Sequence, residues 1–106
     1  MNYRHGDVNL HEVAEIPKGA KKIAHDGSFV LAHGEATGHK HVIRVPNIED
    51  MEMWECPDGR WYITMKNQGT LTHEEHGTIV VAPRKYVHIQ ERELDLSSGL
   101  VRKVVD

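Results

Sequence analysis

The chain has 106 residues and a single cysteine, Cys56, so no internal disulfide can brace it. A lone cysteine is most often a small buried apolar side chain, and Cys56 is read that way. No apolar run approaches the ~20 residues that a membrane-spanning helix requires. The stretch Met1-Asn2-Tyr3-Arg4-His5-Gly6-Asp7 has no basic start leading into an apolar segment, so no signal peptide is expected there. A cytoplasmic location follows as the expectation. Positive charge is also scarce: 13 Lys and Arg against 16 Asp and Glu give −3 with histidines neutral. Arg84-Lys85 and Arg102-Lys103 are isolated pairs rather than a basic field, so neither nucleic acid nor membrane is an expected partner. There is no serine-centred nucleophile elbow, no phosphate-binding glycine loop and no Cys-x-x-Cys pair.

No sustained helical stripe runs through the sequence. Gly and Pro recur at short intervals with β-branched clusters between them, which is the rhythm of an all-β fold. One domain is expected over 1–106, a small β-barrel or β-sandwich of roughly eight or nine short strands. The first strand is read over residues 6–13, with Val8 and Leu10 on one face. Residues 20–24 form a short strand or coil, and 28–33 and 39–45 are strands on either side of a loop at Glu35-Ala36-Thr37-Gly38. The clearest local signal is Met51–Cys56, then Pro57-Asp58-Gly59, then Arg60–Met65: two aromatic-rich runs joined by a tight turn, hence a β-hairpin. Asn67-Gln68-Gly69 is read as a turn, residues 78–82 as a short buried strand and 86–94 as a strand. A turn at Ser97-Ser98-Gly99 leads to a last strand over 100–105. A core this thin favours a homo-oligomer, expected as a dimer.

What the sequence has in excess is histidine, nine in all. Two clusters stand out. In Gly38-His39-Lys40-His41, residues i and i+2 of a strand share a face, so His39 and His41 present two imidazoles side by side. That is a two-point grip on a divalent metal, whose nitrogen ligands sit ~2.0–2.1 Å away for zinc. In His73-Glu74-Glu75-His76-Gly77, the spacing lets His73 and His76 converge, although it is not the His-Glu-x-x-His protease motif. Glu35 and Glu75 are candidate catalytic acids or bases beside such a site. Alone, the first cluster is equally well an exposed strand face, and the second is more commonly a solvated acidic turn; together, in so short a chain, they point to one metal centre. His5, His11 and His25 lie in polar surroundings and are expected on the surface.

Some spacings resemble the cupin family. Gly77, Pro83 and His88 fall at the separations of its second motif, with Lys85 and Arg92 standing where a glycine and an asparagine belong. His39 and His41 match the His-x-His of its first motif, but Val45 and Pro46 occupy the places of its glutamate. The resemblance implies a cupin-like barrel with a metal on His39, His41 and His88, and a vacancy that His76 or Glu35 would fill. The chain also resembles small bacterial and phage proteins of unknown activity. They share Tyr3-Arg4-x-Gly6-Asp7-Val8, Gly34-Glu35-x-Thr37-Gly38-His39-x-His41 and His73-x-Glu75-His76, which favours His73 and His76 over His88 as partners of the first pair.

Three functional expectations follow. The first is a metal-binding protein, with His39, His41, His73, His76 and His88 as candidate ligands. Its ion would be a divalent transition metal (zinc, manganese, iron or nickel), and an open coordination position would suit a small-molecule ligand or an enzyme's substrate. The second is a metal-free binding or assembly module that uses Trp54, Trp61 and Tyr62 on the hairpin. The third is a metal-independent acid–base catalyst, such as a phosphodiesterase, built on His39 and His76.

Overall fold

The computed structural model describes residues 1–33, 40–74 and 77–90. They form ten strands: β1 (Asn2–His5), β2 (Val8–Glu12), β3 (Lys21–Ile23), β4 (Ser28–His33), β5 (Lys40–Arg44), β6 (Met51–Glu55), β7 (Trp61–Met65), β8 (Gly69–Thr72), β9 (Ile79–Val81) and β10 (Lys85–Gln90). Two antiparallel sheets result, ordered β1-β2-β10-β7-β6-β3 and β4-β5-β8-β9. The architecture is a small β-sandwich, not a closed barrel. Among the described residues no helix is long and apolar enough to cross a membrane.

Period-two burial builds the sandwich. Met51 and Met53 of β6, Ile63 and Met65 of β7, Ile43 of β5 and Leu71 of β8 are buried, while their neighbours in sequence face outward or lie half-buried. Facing strands in antiparallel register put opposed residues on one side. Thus Tyr3 opposes Leu10, Leu10 opposes His88, Tyr86 opposes Ile63 and Ile63 opposes Met53, giving the inner face of the larger sheet. Ile43 opposes Leu71, and Leu71 opposes Ile79, on the inner face of the smaller one. Apart from His88, these side chains form or pack against one core cluster. Each fully buried Val, Leu or Ile contributes roughly 1.5–3 kcal/mol.

Two tyrosines tie the sheets together. The Tyr86 hydroxyl donates to the Ala82 carbonyl at 2.8 Å, and the Ala82 amide donates to the Tyr3 hydroxyl at 3.0 Å. Ala82 follows β9 of the smaller sheet, so both backbone groups of one residue are satisfied from the larger sheet. Burial, and then the neighbouring Tyr3, push the Tyr86 phenol pKa upward, so it stays a donor.

Several boundaries differ from the sequence reading. The expected first strand over 6–13 is the second half of a hairpin, because Gly6 takes φ +63° and turns the chain at Gly6-Asp7. Asp7 has no positive φ, so glycine alone at the first turn position matches the two-residue hairpin turn that demands it there. Gly69 is not part of a turn but the first residue of β8, packed against the Arg44 carbonyl. The 57–59 hairpin is as read: Gly59 donates its amide to Cys56 at 2.8 Å and takes φ +87°. Cys56 is free and buried. The loop at 35–38, the turn at 97–99 and the strand at 100–105 lie outside the described residues.

Candidate functional site

At one end of the sandwich the space between the sheets is filled by histidine rather than by hydrocarbon. The short turn after β1 sets the first part of it. His5 is the last residue of β1 and opposes Val8, which fixes its side chain on the inner face with Tyr3 and Leu10. It is 5% exposed, so the expected surface location is overturned: the two-residue turn reverses the chain under it instead of letting it trail into solvent. Asp7, in that turn, is also buried.

His41 enters from the other sheet. It is fully buried, on β5, opposite the small side chain of Ala32. A register shift between Val30 and Ala32 lets Leu31 and Ala32 both pack inward there, as a bulge does. His73 follows β8 on the side of Leu71, and it is buried too. The His41 and His73 rings lie 4.3 Å apart at 35°. His5 approaches the His41 ring edge-on at 5.1 Å and the His73 ring at 6.2 Å. The Lys40 amide donates to a Glu74 carboxylate oxygen at 2.9 Å, joining the start of β5 to the segment after β8.

The ring nitrogens are arranged in a chain. His5 Nε2 is 2.6 Å from the Gly77 carbonyl oxygen, which can only accept, so Nε2 carries the proton. His41 Nε2 is 3.2 Å from Asp7 Oδ1. That contact is within ion-pair reach but off the hydrogen-bond line, so it acts through charge. With its proton on Nε2, His5 keeps a lone pair on Nδ1, which faces His41 Nδ1 at 3.0 Å, a hydrogen-bonding distance. One proton, or one cation, fits between the two nitrogens at that distance.

His88 lies on β10 opposite Leu10, 5% exposed, with its ring stacked on Trp61 at 5.8 Å and 23°. Trp61 in turn meets Phe29 edge-on at 5.0 Å. Burial pulls the His88 pKa down to about 4; the Asp7 charge opposes this and His41 adds to it. His88 is therefore neutral at pH 7. Its Nε2 is buried and makes no hydrogen bond among the described residues.

Of the sequence candidates, His41, His73 and His88 are thus inside the sandwich, and the first two share one cluster. Glu35, His39, Glu75 and His76 lie outside the described residues. Sequence reasoning missed His5 and Asp7. The signal was present: a glycine-first two-residue turn between alternating Tyr3/His5 and Val8/Leu10 puts all four on one face. Among the described residues, no three His, Cys, Asp or Glu side chains form a ready-made metal cage. Trp54, Trp61 and Tyr62 of the hairpin are half-buried.

The fold and this end of it define a small β-sandwich with a buried histidine cluster between its sheets. Residues 4–91 match a family described as Domain of unknown function (DUF8820), and the chain belongs to that family. The cupin likeness rests on motif spacings alone, those of His39 and His41 and of Gly77, Pro83 and His88. No curated protein and no solved structure matches the chain.

Proposed function

We propose that this domain binds a divalent transition metal ion at the histidine cluster, with His5 Nδ1 and His41 Nδ1 as its first two ligands. The observation that carries the reading is their 3.0 Å separation with both Nε2 atoms turned toward oxygen acceptors. Two imidazole nitrogens that share a metal at ~2.0–2.1 Å each lie roughly 3 Å apart. A metal-bound histidine typically gives its other ring N–H to a carboxylate or a backbone carbonyl, the places held here by Asp7 and Gly77. Ring centres that share a metal stand up to ~6 Å apart, so a rotation of the His73 ring supplies a third nitrogen. His39 and His76, two and three positions from His41 and His73, join the proposal through their place in the sequence. An N-rich set suits zinc, iron or nickel better than calcium or magnesium. A reducing, cytoplasmic setting suits the free Cys56.

The test is elemental analysis and native mass spectrometry of untagged protein, followed by calorimetric titration of metal-stripped protein with zinc chloride. One metal per chain is expected, lost in His5→Gln/His41→Gln. A protein that neither carries nor takes up metal overturns the reading. It would leave the second candidate, a metal-free acid–base relay, favoured by the Asp7–His41–His5 chain, in which a shared proton takes the place of the ion.

A further inference from the structure

Resting on that reading, we propose that the ion is a staple between the two sheets, so that metal occupancy and the docking of β1 are one equilibrium. The ligands come from opposite layers: His5 ends β1 of the larger sheet, and His41 lies on β5 of the smaller. Among the described residues β1 is an edge strand, hydrogen-bonded to β2 alone within its sheet. Its grip on the opposite layer is made by two alternate side chains. Tyr3 reaches the Ala82 amide after β9, and His5 reaches the Gly77 carbonyl before β9 and the ring of His41.

The strength of this one contact therefore depends on its contents. A cation between the two Nδ1 atoms replaces the proton there, bonds both rings and holds β1 onto the smaller sheet. Without one, the two nitrogens share a single hydrogen bond across 3.0 Å, a weaker tie than two coordinate bonds. The unfolded chain has no such paired site, so binding free energy at this point is folding free energy. A domain this small has little hydrophobic surplus, which is where a metal clamp has the largest effect.

The experiment uses the full chain, stripped of metal and titrated with zinc chloride, read by thermal unfolding and by amide exchange with mass-spectrometric detection. Zinc at a hundredfold excess over its Kd is expected to raise Tm by about 10 °C. Exchange should slow in β1 and around Gly77, and much less in the β6–β7 hairpin. His5→Gln keeps a side-chain N–H for the Gly77 carbonyl but loses the Nδ1 ligand, and both responses should disappear in it. If that variant does not fold, the wild-type exchange pattern decides alone. Calorimetric zinc binding with unchanged Tm and unchanged β1 exchange overturns the staple and leaves the metal reading standing. Absence of any binding removes the metal reading itself, and the staple with it.

Discussion

His5 Nδ1 and His41 Nδ1 meet at 3.0 Å although they are 36 positions apart in sequence and belong to different sheets. Nothing about either strand alone would bring them together; the Gly6-Asp7 turn and the β5 register do. The first prediction concerns this pair. His41 is fully buried beside a buried carboxylate, so His41→Ala removes a ring from the core and leaves Asp7 without that partner. Truncating a fully buried large side chain to alanine costs on the order of 2–5 kcal/mol. Urea denaturation of metal-free protein should show a loss of that order, and a loss below about 1 kcal/mol would contradict the burial argument.

Asp7 is predicted to act on the metal through His41. Asp7→Asn keeps the shape but removes the negative charge 3.2 Å from His41 Nε2. Outer partners of this kind typically change metal affinity by about 10–100-fold. Zinc titration should show that weakening while the fold persists by circular dichroism. An unchanged Kd would mean that the 3.2 Å approach of Asp7 to His41 is incidental.

The fold class was legible because strand periodicity is local. Met51, Met53, Ile63 and Met65 alternate in sequence and are alternately buried in the hairpin they form. His41 and His73 were legible for a related reason: each continues an inward-facing series, with Ile43 and Leu71 respectively. His5 was not, because its neighbours Arg4 and Asp7 are polar and its orientation depends on pairing with β2. The metal partner expected for His41 in sequence was its neighbour His39; the contact that the structure describes comes from another sheet. Convergence of this kind is set by sheet packing, which no spacing rule encodes.

Gly69 offers a prediction about packing alone. A Cβ at this position would lie 2.5 Å from the Arg44 carbonyl oxygen and 2.5 Å from Met65 Cε. The methionine end can swing away, but the carbonyl belongs to the backbone at the end of β5. Gly69→Ala should therefore destabilise the domain by about 1–3 kcal/mol, the usual cost of overpacking. A denaturation midpoint equal to that of the parent would show that β5 and β8 can part without penalty.

The pH dependence of stability should carry the mark of His88. Its folded pKa lies near 4, against an ordinary value of 6.5, because the charged ring would be buried against Trp61. Above pH 6.5 the ring is neutral in both states and contributes no pH dependence. As pH falls below 6.5 the unfolded chain takes up a proton that the native state refuses, so stability declines. Near pH 4 the native ring protonates too, and the loss levels off at roughly 3 kcal/mol. The exposed carboxyls of Glu12 and Asp26, and that of Glu52, are held below their usual range by hydrogen-bonded and charged neighbours, so they add a loss of the same sign at lower pH. The measurement is urea unfolding of metal-free protein at pH 7, 6, 5 and 4, comparing wild type with His88→Gln, which fills similar space without a titrating ring. Wild type should lose about 3 kcal/mol more than the variant over that span, with most of the difference appearing between pH 6 and 4. Parallel curves would mean that His88 is solvated enough in the native state to accept its proton at an ordinary pH.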